Sequence, residues 1–355
     1  MRDYRGMSPL TTLTVALVDA LDTPVERLDR DGIVRARAET VPARAPFTWV
    51  TGPVRREVAV LAAAAPVRDG TPVPLRVHRP VVPHAGPLPV VVHLHGGGWV
   101  LGSPMGYDPL CSHLAAELPA LVVSVEYRMA PEHPAPTAAH DCVDATRWVA
   151  GHAGGLGGDG TRMAVAGDSA GGNLAAVVAQ VLRDEGGPAL AAQALIYPAT
   201  DMTMSSPSVT EQSNRPILSR RSMDAFRDHY CPPGTDLTDP VVSPLFGRLD
   251  GLPPALVQTA DLDPIRDDGI RYAVALRAAG VPARLTNYRR VPHGFASFPL
   301  VTPVGRAQRA ELVGFLRAQL TADGGPAGGA TPTREATPAG EATPTREATP
   351  AGGAR

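Results

Sequence analysis

The chain has 355 residues, a formal net charge of −2 and 44% hydrophobic residues, enough apolar material for one large domain or two small ones with a real core. That charge balance argues against a nucleic-acid or anionic-membrane partner. All 33 basic residues are arginine, which excludes a Walker-A phosphate lysine, Schiff-base chemistry and a Ser-x-x-Lys nucleophile.

In chain order, "LTTLTVALVDAL" (10–21) reads as an amphipathic helix. Its threonines and Asp19 interrupt it too early for a signal-peptide core. No apolar run approaches the ~18 residues needed to span a membrane. Strand-like runs follow at 57–63, 73–79, 88–95, 120–127, 161–167, 191–198, 254–260 and 283–289. Helix-like segments at 137–150, 170–184, 266–279 and 305–320 alternate with the later strands. Near-continuous apolar strands alternating with helices predict an α/β fold: a mostly parallel, eight-stranded sheet covered on both faces. The first two strands have only a short link, which suits an antiparallel hairpin.

Residues 1–50 and about 200–246 break this alternation and are too long to be simple connections. The second contains a predicted helix at 219–230, and together the two segments are expected to form a lid over one end of the sheet. Residues 323–355 stand apart. "ATPTREATPAGE" (330–341) is repeated almost perfectly as "ATPTREATPAGG" (342–353). A segment so poor in apolar residues cannot bury a core and is expected to be disordered. The expected organisation is therefore a cap segment (1–50), a catalytic domain (51–322) with a cap insertion at about 200–246, and a tail (323–355). Cys111, Cys142 and Cys231 form no CxxC pair, which suits a reducing, cytoplasmic compartment.

The chemistry starts at "GDSAGGN" (167–173), between the strand 161–167 and the helix 170–184. A G-x-S-x-G turn in that context lifts a nucleophilic serine to the edge of the sheet. Small neighbours permit the strained backbone, and the helix N-terminus favours developing negative charge. Ser169 is the candidate nucleophile; a plain helix cap is the alternative. Upstream, "HLHGGGW" (93–99) closes the strand 88–95. Its glycines let backbone N–H groups face an oxyanion, so Gly97, Gly98 and the N–H of Ala170 are candidate donors. His93 and His95 form an H-x-H pair, but no third ligand with sensible spacing follows, so no metal is expected. His95 reads as a residue that orders the loop.

A nucleophilic serine needs a base and an orienting acid, in the chain order Ser, Asp or Glu, His for this architecture. "DLDPIRDDG" (261–269) and "VPHGF" (291–295) each follow a strand, where ligands meet an open α/β sheet. Asp263 precedes Pro264 and is biased to an extended conformation that leaves its carboxylate free. Asp261 competes with it. Asp267 and Asp268 read as charges near a helix start. His293, between Pro292 and Gly294, is the candidate base. "GLGGDG" (155–160) matches GxGxxG but follows a helix and leads into a strand, the wrong context for a dinucleotide.

Taken together, "HGGGW" (95–99), "EYRMAPEHPAP" (126–136), "GDSAGGN" (167–173), "DPIRDDG" (263–269) and "VPHGF" (291–295) resemble the hormone-sensitive-lipase-like branch of the α/β-hydrolases, the bacterial family IV esterases and lipases. The resemblance covers roughly residues 50–320. Ile265 and Asp268 stand where Leu and Glu are more familiar, and the repeat tail lies outside the pattern. The resemblance implies a helical cap and a triad of Ser169, Asp263 and His293 with an oxyanion hole on Gly97, Gly98 and Ala170. It gives "YRMAPEHPAP" a structural role near the site. It implies hydrolysis of short- to medium-chain acyl esters without a cofactor. A small ester is then the partner, with no nucleic acid and no membrane span, and homodimerisation is left open. The competing readings are a lactonase, acyltransferase or lyase acting on one metabolite, and a non-catalytic binding protein on the same fold.

Overall fold

Eight strands form one sheet in the computed structural model, which describes residues 2–321 apart from 22, 39–44, 46, 82 and 85. In chain order the strands are β1 (Val58–Pro66), β2 (Pro72–Pro80), β3 (Leu88–Leu94), β4 (Leu121–Val125), β5 (Gly158–Asp168), β6 (Ala192–Ile196), β7 (Ala255–Leu262) and β8 (Ala283–Pro292). Each falls on one of the expected runs. Across the sheet they are ordered β1-β2-β4-β3-β5-β6-β7-β8. β1 and β2 make the expected antiparallel hairpin, and β2 is also antiparallel to β4. All other neighbours are parallel.

The apolar runs explain the layering. Every residue of β3, β4 and β6 is buried, as expected for parallel strands covered on both faces. Alternate side chains go to opposite layers. Val90, Val92 and Leu94 belong to one core cluster, and Val91 and Val122 to the other.

Among the described residues, three α-helices precede the sheet: α1 (Pro9–Leu21), α2 (Arg30–Ala38) and the single turn α3 (Thr48–Thr51). Next come α4 (Asp108–Glu117), α5 (Thr137–His152), α6 (Ala170–Asp184), α7 (Pro207–Glu211), α8 (Arg220–Tyr230), α9 (Arg266–Ala278) and α10 (Gly305–Thr321). α5, α6 and α9 bury their apolar sides in the first core cluster, α4 and α10 in the second.

The sequence reading has no helix at α4. This ten-residue helix opens on Asp108, which is tied to Arg76 at 2.5 Å and to His78 at 2.9 Å. Its cohesion comes from burial against the sheet rather than from a periodic pattern. "GLGGDG" runs through a short 3-10 turn directly into β5, and no helix opens on it. Among the described residues, no helix is long and apolar enough to cross a membrane. The repeat tail, 323–355, lies outside the described residues.

The N-terminal helix docks differently from its pattern. α1 buries Thr11 and Val15, while Leu10, Leu13, Leu17 and Leu21 remain more than half exposed. Thr11 Oγ1 fixes the buried side by donating to the Val301 carbonyl at 3.0 Å. α2 is fastened by Arg37, whose guanidinium donates to the carbonyls of Val100 (2.7 Å) and Ala130 and pairs with Glu132 at 2.9 Å. That bond set joins the N-terminal segment to Val100, directly after "HGGGW", and to "YRMAPEHPAP".

Candidate active site

β5 ends at Asp168 and α6 begins at Ala170. Ser169 alone makes the turn between them, with φ 55° and ψ −120°. Few non-glycine residues adopt a positive φ, and such strain persists only where the surroundings impose it. Here the surroundings are tight. A Cβ on Gly171 would lie 2.0 Å from the Leu94 carbonyl oxygen, so only glycine lets α6 start hard against the end of β3. The Ser169 N–H donates to the Ile196 carbonyl at 2.9 Å. Asn173, one helical turn on, donates through Nδ2 to the carbonyls of Ala199 and Val242.

The turn presents Ser169 Oγ to His293. The Oγ–Nε2 distance is 2.9 Å, and His293 Nδ1 lies 2.7 Å from Asp263 Oδ2. His293 is placed where β8 ends and Gly294 turns the chain with φ 74°. Its ring is tilted against Tyr197, with centroids 4.7 Å apart. Asp263 is fully buried. Its Oδ1 accepts the Ile265 N–H at 2.9 Å, which leaves Oδ2 for the histidine. Asp261 instead accepts the Val291 N–H at 3.2 Å. The structure therefore brings Ser169, His293 and Asp263 into one hydrogen-bonded line.

Gly97 and Gly98 line the same cavity as Ser169 and His293. Gly97 has φ 126°, and a Cβ there would meet the Leu101 carbonyl at 2.0 Å, so the loop needs glycine. Ala170 is the first residue of α6, and its N–H is among those a helix leaves without an intrahelical partner.

A buried group that the sequence reading gave no role holds this loop. Asp168 Oδ1 accepts the Gly96 N–H at 3.1 Å, and Oδ2 accepts the hydroxyls of Tyr107 at 3.0 Å and Tyr197 at 3.3 Å. Burial pushes the Asp168 carboxyl up to about 6, although these hydrogen bonds and the nearby His293 favour its charged form. Asp168, Tyr107 and Tyr197 come from three separate parts of the chain, and no spacing in the sequence links them.

His93 and His95 are buried, and burial lowers both, to about 3 and about 4. Each is therefore neutral near pH 7. His93 Nδ1 pairs with Ser124, and His95 Nδ1 contacts the Gly96 carbonyl while its ring stacks on Tyr127. His95 thus orders the loop, as expected.

The cavity beside Ser169 has a volume of about 240 Å³. Most of its apolar wall comes from the 200–246 segment, through Met202, Met204, Ile217, Leu218, Met223 and Phe226. Trp99 of the glycine loop stacks on Tyr230 of α8 with centroids 4.6 Å apart, tying that wall to the loop.

Asp268 departs from its reading as a charge at a helix start. It is 1% exposed, because residues 200–208 fold over the first turn of α9. Its Oδ1 accepts Ser206 Oγ at 2.7 Å and its Oδ2 accepts the Asp201 N–H at 3.2 Å. Burial pushes its carboxyl up to about 7, with neighbouring Asp201 acting in the same direction. Burial also works against ionised Asp201, but hydrogen bonds from Ser205, Thr203 and Arg271 outweigh it and hold that carboxyl low. Asp267 does stay at the helix start, where it accepts from Ser208 and Arg266.

Sheet order, flanking helices and a serine on a strand-to-helix turn define an α/β-hydrolase. The family model for the alpha/beta hydrolase fold matches residues 91–297. Carboxylesterase NlhH of Mycobacterium tuberculosis is 49% identical over 241 residues, 66% of this chain and 75% of its own. Esterase LipI of the same organism is 42% identical over 294 residues, 81% of this chain and 89% of its own. The solved structure of a hyperthermophilic esterase from the archaeon Pyrobaculum calidifontis aligns with a TM-score of 0.78 at 38% identity, covering 88% of this chain and 98% of that one. The chain belongs to the hormone-sensitive-lipase-like esterases of the α/β-hydrolase fold, and is a carboxylesterase-type hydrolase.

Proposed function

We propose that the chain hydrolyses carboxylic esters of short to medium acyl length, with Ser169 as nucleophile, His293 as base and Asp263 as its orienting acid. The observation that carries this reading is the hydrogen-bonded line from Asp263 Oδ2 to His293 Nδ1 (2.7 Å) and from His293 Nε2 to Ser169 Oγ (2.9 Å). Ser169 Oγ attacks the ester carbonyl carbon as its proton passes to His293 Nε2. The carbonyl oxygen becomes an oxyanion facing the N–H groups of Gly97, Gly98 and Ala170. His293 returns the proton to the leaving alcohol as the C–O bond breaks, giving an acyl-enzyme. Water, deprotonated by His293, repeats the addition and releases the acid. Asp263 holds the imidazole in the tautomer that accepts at Nε2. The apolar cavity of about 240 Å³ suits a short or medium chain. Cys111, Cys142 and Cys231 are all free and buried, which supports a cytoplasmic setting.

A panel of p-nitrophenyl esters, metabolite esters and lactones tests the reaction class. An organophosphate should label a single peptide, the one bearing Ser169. Ser169→Ala should lower kcat by ~10⁶, the loss expected when a triad serine is removed. Full activity in that variant would sink the mechanism.

A further inference from the structure

Beyond the cavity at Ser169 lies a second one of about 160 Å³, with an apolar side at Val18 of α1, Val25 and Leu101 and a polar rim at Arg2, Asp19, Thr23 and Ser222. Both cavities are lined by Ile217, Phe226 and Phe298. Along α8, Ser222 borders the second cavity, Met223 the first, and Phe226 both. The wall between them is therefore one layer of side chains.

Two of those side chains are held in unusual ways. The Phe226 ring lies directly over Gly98, where a Cβ would come within 2.3 Å of it. Ile217 has φ 66°, a genuine outlier for a β-branched residue. It is the central residue of a tight turn closed by the Leu218 N–H donating to the Pro216 carbonyl at 2.8 Å, a strained geometry when φ is positive. The Ile217 N–H donates to Asp19 Oδ1 at 3.3 Å, and Asp19 is fixed in turn by the Tyr4 hydroxyl at 2.7 Å. The N-terminal helix thus pins the strained turn that closes the wall.

We propose that Ile217 and Phe226 partition a single alkyl channel into two chambers and so set the longest chain the site accepts. This rests on the ester-hydrolase reading above. With the partition closed, a substrate chain has the first chamber alone. With it open, the chain continues into the second, whose Val18, Val25 and Leu101 suit an alkyl end. Each further buried methylene is worth roughly fourfold in affinity, so opening the partition changes the length profile steeply.

The test uses the full chain and two ester series, p-nitrophenyl acyl esters and n-alkyl acetates, from two to sixteen carbons. In Phe226→Ala, the ratio of kcat/KM for the ten-carbon over the four-carbon member should rise at least tenfold in one series, which identifies the half of the ester that occupies the channel. Ile217→Gly removes side chain and strain together and should move the ratio the same way. Adding Val18→Phe, which refills the second chamber from α1, should cancel the gain. Calorimetric titration of decan-1-ol and hexan-1-ol reads the same partition without turnover, and Phe226→Ala should favour decanol at least tenfold more than the native chain does. If the native chain cleaves no ester, the ester reading falls while the alcohol titration still decides the partition. An unchanged ratio in both series and an unchanged alcohol preference, in variants that melt cooperatively, would overturn the proposal. A gain that Val18→Phe leaves intact would do the same.

Discussion

Asp261 and Asp263 stand two residues apart at the end of β7, and their surroundings separate them. The β7–β8 register shifts between Ala260 and Leu262, and β7 ends at Leu262, so Asp263 is the first residue off the sheet. Asp261 stays with the strand edge and caps the Val291 N–H. Asp263 steps off, spends one oxygen on Ile265 and turns the other to His293. Asp263→Asn should therefore cost ~10⁴ in kcat, the loss typical of a triad acid that sets the tautomer, while Asp261→Asn should change kcat less than about tenfold. Steady-state kinetics on one p-nitrophenyl ester decides between them, and the reverse ranking would move the acid by two residues. Ser169, Asp263 and His293 can be picked out from the sequence because each sits at a strand end within two residues of a glycine or proline, where local spacing already implies exposure. Asp168 was not legible. Its role depends on Tyr107, Tyr197 and Gly96 meeting around it, and that meeting is tertiary.

At the scale of elements, strands were easier to read than helices. A buried parallel strand is a nearly continuous apolar run, so each expected run found its place. α4 is held by the sheet beneath it and carries little pattern of its own. α1 carries a clear leucine stripe, yet it docks through Thr11 and Val15. The junction of α9 with residues 200–208 was also hidden, because "RDDG" looks like an ordinary acidic helix start. Its burial has a consequence for stability. The Asp268 carboxyl is raised to about 7 from an ordinary 3.8. Between those values the folded chain keeps a proton that the unfolded chain has lost. Its contribution to stability therefore falls as pH rises from about 4 to about 7, then levels off. From pH 5 to pH 8 the loss is on the order of 2 kcal/mol. Asp268→Asn cannot ionise and should flatten that part of the profile. Urea midpoints of both proteins at pH 5 and pH 8 measure it, and parallel profiles would show that Asp268 does not titrate as its burial implies.

For the whole molecule, the eight strands, their mostly parallel character and the opening hairpin were legible, whereas their order across the sheet was not. Order depends on which way each crossover turns, and the sequence of a crossover helix barely records that. The two irregular segments also divide their work in a way the sequence does not announce. Residues 200–246 wall the Ser169 cavity, and the N-terminal helix borders only the second chamber.

The end of the chain separates packing from mere length. α10 closes the second core layer with Leu312, Leu316 and Leu320, each 2% exposed or less, and stops at Thr321. From 322 onward the sequence contains no Val, Ile, Leu, Met or aromatic residue, the side chains whose burial offsets the entropy of ordering a chain. Truncation after Ala322 should leave Tm within about 1 °C and kcat/KM within about twofold, the outcome that the composition of the removed segment implies. Truncation before Leu316 removes two buried leucines, each worth about 2–5 kcal/mol, and should lower Tm by many degrees or prevent folding. Thermal melts and ester kinetics on the two truncations test both statements. A large fall in Tm or kcat/KM after the Ala322 truncation would mean that the repeat segment packs against the hydrolase despite its composition.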